Sequence, residues 1–198
     1  MTTTYTKAFN AAIDHAMLYE VGGFWNVNDS AVSEGLISTP ANRRAVGYVN
    51  DPDDMGGETK FGVAKNANPD LNIHDLTWDS AKAVYFLRYW LAGKCDKMPG
   101  RVAVLHFDVC INNGVGRAAI FLQRAIGVNA DGDIGPATLS RLSTADSIAV
   151  CNRICDLREQ FYRDIVTNKP IQIKYLTGWL RRCNEMRTLT TNPGNTFS

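Results

Sequence analysis

The sequence predicts a mainly α-helical protein with one small irregular or β-containing lobe near its N-terminus. Apolar residues recur at helical spacing over most of the chain, whereas residues 22–58 are rich in Asn, Asp, Ser, Gly and Pro. The chain is 45% hydrophobic and 21% charged, which is typical of a globular protein and excludes a long disordered tract. No linker rich in Pro, Gly or Ser divides it, so we expect one integrated globule.

The first element is an amphipathic helix from Thr6 to Glu20, with apolar residues at positions 8, 9, 12, 13, 16 and 17. Gly22 and Gly23 follow it, which places Glu20 at or just beyond its C-terminal turn. Residues 22–50 are predicted to be loop or weak strand. The run D-P-D-D-M-G-G at 51–57 has turn chemistry, and a short strand is expected at 59–63.

The remaining elements are predicted to be helices. Thr77 is expected to cap a helix that runs to about Leu91. Gly127, Pro136 and Pro170 mark a helix end, a helix start and a helix break. The predicted spans are 101–111, 117–126, 137–142, 146–166 and 173–186.

Charge and cysteine content narrow the function classes. The formal net charge is +1, which gives no general attraction to nucleic acid or membranes. No window approaches the roughly 20 apolar residues that span a bilayer, and no secretory signal is recognisable at the N-terminus. The five cysteines show no metal-ligand spacing, so we expect buried, reduced thiols and neither a metal nor a cofactor.

The C-terminal segment carries a local cluster of basic residues, Arg181, Arg182 and Arg187. Such a cluster either forms a solvated helix face or meets an acidic polymer, and the solvated face is the more common case. His106 is expected to be a core or capping residue, since Asp108 lies two positions away and does not share its helix face.

The carboxylates of the N-terminal half allow one specific chemistry. Cleavage of a glycosidic bond needs a protonated carboxylic acid and a second group that attacks or holds the attacking water. Glu20 meets the first need, because the apolar residues Phe24 and Trp25 nearby would raise the pKa of a carboxyl. The segment from Asp51 to Thr59 meets the second. It would otherwise be a set of turn formers, or a loose calcium loop that lacks the glycine and terminal glutamate of an EF-hand.

Two stretches of sequence carry a family resemblance. Y-E-V-G-G-F-W, followed by Y-V-N-D-P-D-D-M-G-G-E-T-K-F-G-V, resembles the N-terminal signature of the glycoside hydrolase family 108 lysozymes, which are N-acetylmuramidases. Further on, the stretch from Phe107 to Thr138 resembles the peptidoglycan-binding region that follows in this family. The family motif D-P-x-D-x-G-G-x-T-x-x-G is matched by Asp51, Pro52, Asp54, Gly56, Gly57, Thr59 and Gly62.

The resemblance implies a lysozyme-like fold and assigns roles. Residues 1–95 would form the catalytic region and residues 96–198 a helical peptidoglycan-binding region packed into the same globule. Glu20 would be the acid; we rank Asp51 above Asp54 as its partner, and Thr59 would hold a water. The residues expected to touch the glycan are Trp25, Tyr48, Asn112 and Asn113.

The chain departs from the family pattern at two places. Val21 separates Glu20 from the glycine pair, and residues 24–47 are inserted where the family runs on directly. An insertion at a loop tip is tolerated because loop closure entropy grows slowly with length. The insertion contains Glu34, which is a rival for the role of acid.

The sequence therefore predicts a muramidase of the endolysin type, a monomer acting on peptidoglycan glycan strands. The alternatives are a lytic transglycosylase and a phage structural module that binds cell wall without cutting it. We expect the protein to stay in the bacterial cytoplasm until a holin-type membrane lesion releases it. We expect it neither to bind nucleic acid nor to insert into the membrane.

Overall fold

The computed structural model describes residues 4–20, 48, 50 and 57–197, with the backbone alone at 18–20. The described part is mainly helical with one small antiparallel hairpin, as the sequence predicts. The strands are β1 (Thr59–Lys60) and β2 (Val63–Ala64). The helices are α1 (Lys7–Glu20), α2 (Trp78–Tyr85), α3 (Gly100–Asn113), α4 (Val115–Ile126), α5 (Pro136–Ser143), α6 (Ser147–Asn168) and α7 (Ile173–Thr191).

Local signals place the helix ends where the sequence predicts them. Thr77 forms a capping box with Ser80, whose amide donates to the Thr77 hydroxyl at 3.1 Å. Asp146 accepts hydrogen bonds from the amides that open α6. Pro136 is the first residue of α5, and Gly127 ends α4 with a φ of 72°. These ends depend on side chains within a few residues of the cap, so the sequence alone determines them.

The predicted helix from 77 to 91 is interrupted. Its regular part ends at Tyr85, and residues Phe86–Leu91 wind as a π-helix. The wider turn changes the register along this segment, and Trp90 is buried among other aromatic rings. Its ring centroid lies 5.3 Å from that of Phe9 and 5.6 Å from that of Phe107. This packing involves residues far apart in sequence, which helical periodicity does not report.

The last helix is longer than predicted and runs to Thr191 instead of ending near position 186. The threonine hydroxyls of its last turns donate to carbonyls four residues back, among them Thr190 to Met186 at 2.7 Å. Arg101 then donates to the carbonyls of Thr190 and Asn192 at 2.9 and 2.8 Å. The end of α7 is therefore held by an arginine from α3, a long-range contact.

The chain divides into two compact units, residues 13–87 and residues 1–12 with 88–198. We call them the hairpin unit and the helical unit. The hairpin unit contains β1, β2 and α2, and its core includes Phe61, Val63, Ile73 and Tyr85. In the helical unit, α3 is buried along Val102–Cys110, and α4, α6 and α7 pack against it.

The cysteines are buried and free, as expected. None of the helices in the described part of the chain is both long enough and apolar enough to cross a membrane.

Candidate active site

The hairpin of the candidate site is closed by a strained two-residue turn. Thr59 pairs with Ala64 and Lys60 with Val63, so Phe61 and Gly62 form the loop. Their φ angles are 51° and 76°, as a type I′ turn requires. A phenylalanine in this region costs roughly 1–2 kcal/mol. Burial of the Phe61 ring and a hydrogen bond from the Tyr85 hydroxyl to the Phe61 carbonyl, at 3.0 Å, offset this cost.

A buried lysine anchors the first strand. The side chain of Lys60 is fully buried, and its ammonium donates to the His74 carbonyl at 2.8 Å. It also lies 5.6 Å from the centroid of the Phe61 ring. Because a buried charge is costly without such partners, Lys60 ties β1 to the segment that precedes α2.

Thr59, the predicted water-holding residue, begins β1. Its hydroxyl donates to the Gly57 carbonyl at 3.3 Å, and Gly57 has a φ of 70°. The second glycine of the family motif thus takes a conformation that other residues adopt only at a cost. The contact with water or substrate remains a prediction.

Tyr48 is brought to the hairpin. Its hydroxyl donates to Glu58 Oε1 at 3.0 Å, and its ring meets His74 edge-on at a centroid distance of 5.6 Å. Only 7% of Tyr48 is exposed, so in this structure it chiefly supports the segment around it. Glu58 is a carboxylate that the sequence analysis did not single out. Its place beside Thr59 inside the D-P-x-D-x-G-G-x-T motif was the available signal.

α1 is described as far as Glu20, and the residues that follow it, up to 47, lie outside the described part of the chain, so the position of Glu20 at a helix end stays a prediction. The position of its side chain is not described. Asp51, Asp54 and Trp25 lie outside the described residues, as do the insertion at 24–47 and its rival acid Glu34. Their roles remain predictions.

The two predicted glycan-contacting asparagines belong to the helical unit and end α3. Asn112 Oδ1 accepts hydrogen bonds from the Tyr162 hydroxyl and from Arg158 Nη2, the latter at 3.1 Å. Asn113 Oδ1 lies 3.3 Å from the same tyrosine hydroxyl. Both side chains therefore take part in a polar cluster that links α3 to α6.

A buried carboxylate lies at the centre of that cluster. Asp108 is paired with Arg158 at 2.6 Å and with Arg182 at 2.8 Å, and all three side chains are almost entirely buried. The proximity of Asp108 raises the pKa of the Arg158 guanidinium even though burial opposes its charge. The Arg158 and Arg182 guanidinium groups are thus both paired with this one carboxylate in the interior of the helical unit.

The interpretation of Arg181, Arg182 and Arg187 as one solvated basic face is wrong for Arg182, which is 6% exposed. Arg187 is also committed, since its guanidinium pairs with Asp156 at 2.9 Å and with Glu159 at 2.8 Å. The sequence pattern could not show this, because the acidic partners are on other helices. Because of these ion pairs, Arg181, Arg182 and Arg187 do not form an uncompensated basic face.

The cysteines offer no accessible nucleophile. A hydrogen bond with Cys95 and the neighbouring His106 lower the pKa of Cys110 to about 5, although burial opposes the shift. The side chain of Cys110 is fully buried, however, and a polymeric substrate cannot reach it. His106 is buried in α3, as expected of a core histidine.

The two stretches of sequence that carry the family resemblance both overlap regions that match known protein families. Residues 40–114 match the family described as Glycosyl hydrolase 108, and residues 117–184 match the Predicted Peptidoglycan domain. Among solved structures, the chain is similar to SagA of Brucella abortus, with 26% identity and a TM-score of 0.63. That match covers 74% of this chain and 88% of the other. No curated protein matches. The first matched region includes the hairpin and the acidic segment, whereas Glu20 precedes it.

Proposed function

We propose that this chain, a peptidoglycan-degrading glycoside hydrolase of family 108 with a peptidoglycan domain, cuts the β-1,4 bond between N-acetylmuramic acid and N-acetylglucosamine. The observation that carries the proposal is the succession of the two matched regions in one chain. A catalytic family and a domain for the same polymer are expected together in an enzyme that works on an insoluble wall.

Glu20 is the acid in this proposal. It is the last described residue of α1, and Val21, Gly22 and Gly23 follow it in the chain. A carboxyl held beside apolar side chains stays protonated at neutral pH and can give its proton to the oxygen of the leaving sugar. Asp51 or Asp54 then stabilises the positive charge that develops on the sugar ring.

The hairpin supplies Thr59, the residue that holds the attacking water in this proposal. Thr59 stands at the start of β1, next to a turn held by Tyr85 and a strand anchored by Lys60. A hydroxyl on such a braced strand is a suitable holder for the attacking water, because its position varies little. Attack by this water on the face opposite the leaving group, with its proton passing to the carboxylate of Asp51 or Asp54, gives inversion at the anomeric carbon.

The test is release of reducing ends from purified peptidoglycan by the full chain and by Glu20→Gln. We expect the variant to stay folded and to lose at least about a hundredfold in rate, as removal of a general acid does. Glu34→Gln is the matched control, since it removes the other acid considered, and it should remain active. Loss of activity in Glu34→Gln with activity kept in Glu20→Gln would overturn the assignment.

Mass spectrometry of the released fragments tests the reaction type. A hydrolase leaves a hydrated reducing end on N-acetylmuramic acid. A 1,6-anhydro end would instead identify a lytic transglycosylase, in which the C6 hydroxyl of the N-acetylmuramic acid itself replaces water as the nucleophile.

The biological role that we propose is host cell lysis by an endolysin. Expression inside a bacterium should then be tolerated until the inner membrane is permeabilised, after which the culture should clear. Clearing without permeabilisation would argue against access through a holin-type lesion.

A further inference from the structure

Two adjoining cavities lie beside α6 and α7 in the helical unit, and the second also reaches the end of α3, at Asn112 and Asn113, and the start of α4. One has a volume of about 440 Å³ and the other about 330 Å³. Phe161, Ile165 and Trp179 line both, so the two form one groove. Sites of this size are typical of those that hold small ligands. The three shared residues lie in the region that matches the peptidoglycan domain, and none belongs to the hairpin unit.

The wall of the groove is aromatic. Trp179 stacks on Tyr162 with a centroid distance of 5.0 Å and an interplanar angle of 25°. Tyr175 continues the row at 5.8 Å and 30°, and it is 48% exposed. A sugar ring has a face of C–H groups and an edge of hydroxyls, so the partly exposed Trp179 ring, which lines both cavities, and the exposed Tyr175 ring beside it offer it apolar surface.

The rim of the groove is polar and carries both kinds of hydrogen-bonding group. At one end, Asn168 and Gln172 contribute amides, Lys169 an ammonium and Asp164 a carboxylate. At the other end, the guanidinium of Arg117 lies 4.8 Å from the centroid of the Phe161 ring. Amides suit the acetamido and hydroxyl groups of the glycan, and the two cations suit carboxylates. Peptidoglycan carries carboxylates on the lactyl group or stem peptide of N-acetylmuramic acid.

The floor of the groove is fixed in advance. The Tyr162 hydroxyl accepts a hydrogen bond from Arg158 Nε at 3.0 Å, and Arg158 is held by the buried Asp108. Tyr162 is 2% exposed and Arg158 is fully buried. Because these groups already have their partners, the platform under Trp179 needs little ordering when a ligand arrives.

We propose that this groove binds a disaccharide segment of peptidoglycan without cutting it. The identity of the polymer rests on the proposed function, but the groove and its chemistry do not. Asp108 and Arg158 are already paired with each other and act as structural support for Tyr162 and Trp179. The described residues that line the groove include no pair of carboxylates that could cleave a glycosidic bond. A non-catalytic binding site of this kind would hold the enzyme on the cell wall between successive cleavage events.

The experiment measures retention on purified, insoluble peptidoglycan by sedimentation, in a Glu20→Gln background so that the polymer stays intact. Trp179→Ala should weaken retention by about tenfold, as loss of a central aromatic anchor does. Arg117→Ala should weaken it by a smaller factor. Arg163→Ala is the matched control, since Arg163 is exposed on α6 and lines neither cavity. Its retention should equal that of the background.

Trp179→Tyr keeps an aromatic platform and should restore most of the retention. If Trp179→Ala does not fold, as judged by thermal unfolding, the exposed Arg117→Ala decides the question. Retention equal to that of the background in Arg117→Ala, and in Trp179→Ala where it folds, would overturn the proposal.

A second measurement places the ligand directly. Titration with soluble N-acetylglucosaminyl-N-acetylmuramic acid should shift the indole NH resonance of Trp179, identified by its absence in Trp179→Tyr. No shift at saturation would contradict the proposal. Failure of the proposed function is seen separately, as absence of reducing ends released by the unmutated chain, and it leaves the retention assay interpretable.

Discussion

The helical unit and the hairpin unit use polar groups in opposite ways. In the helical unit, a buried carboxylate and two buried arginines join α3, α6 and α7 from inside. In the hairpin unit, the candidate catalytic threonine stands on a two-residue strand next to a strained turn. Buried charges that pair with one another hold the helical unit together, whereas in the described part of the hairpin unit the buried ammonium of Lys60 bonds to a backbone carbonyl and a tyrosine hydroxyl holds the turn. Substitutions should therefore affect stability in the first and activity in the second.

The largest effect is expected from Asp108→Asn. The substitution removes the negative charge and leaves two guanidinium groups buried without it, which costs about 3–5 kcal/mol. The free energy of unfolding, measured in urea, should fall by this amount. Asp133→Asn is the matched control, because Asp133 pairs with Lys94 through a side chain that is 82% exposed. That change should stay within about 0.5 kcal/mol, and an equal loss in both variants would contradict the contrast.

Alkaline pH should destabilise the helical unit. Burial raises the pKa of Cys183 and of Cys151 to about 11, against an ordinary value of 9.0. The unfolded chain releases these protons first, so stability is full below pH 9 and falls as pH rises to 11. Each thiol contributes roughly 2 kcal/mol to the loss.

The measurement is the unfolding free energy at pH 8, 9, 10 and 11 under reducing conditions. Cys183→Ala should lower the value at pH 8 through the cavity it leaves, and it should flatten the decline above pH 9. An unchanged slope in the variant would show that this thiol does not cause the decline.

A smaller effect is expected at the turn of the hairpin. Gly62 has a φ of 76°, so Gly62→Ala introduces strain of roughly 1–2 kcal/mol. Release of reducing ends should drop while the helical unit stays folded, which circular dichroism can follow. Gly178→Ala is the matched control, because this glycine lies in α7 with nothing near its added methyl group. It should leave activity intact and stabilise the protein by about 0.5–1 kcal/mol.

The smallest effect is expected from Tyr85→Phe, which removes the hydroxyl that donates to the Phe61 carbonyl. A buried carbonyl left without this donor costs about 1 kcal/mol. Thermal unfolding should report a small loss. Tyr175→Phe removes a hydroxyl from a residue that is 48% exposed and should change the melting temperature less. A larger loss in the control would show that the turn does not depend on Tyr85.

Several helix ends follow from the sequence by itself, namely those with a capping or breaking residue beside them. Thr77, Gly127, Pro136 and Asp146 act on backbone groups within a few residues of themselves, and such effects can be deduced from local order. The glycines of the D-P-x-D-x-G-G-x-T-x-x-G motif likewise indicated turns, and Gly57 and Gly62 take the positive φ angles that make them necessary.

Only the tertiary structure decided which polar groups are partners. Asp108 meets Arg158 across 50 positions of sequence and Arg182 across 74, and no local pattern reports contacts of that range. The same packing turned an apparent basic face inward at Arg182 and placed Trp179 in the wall of a groove. Capping and turn formation are local backbone effects, whereas burial and pairing depend on which helices meet, and that is settled when the whole chain packs.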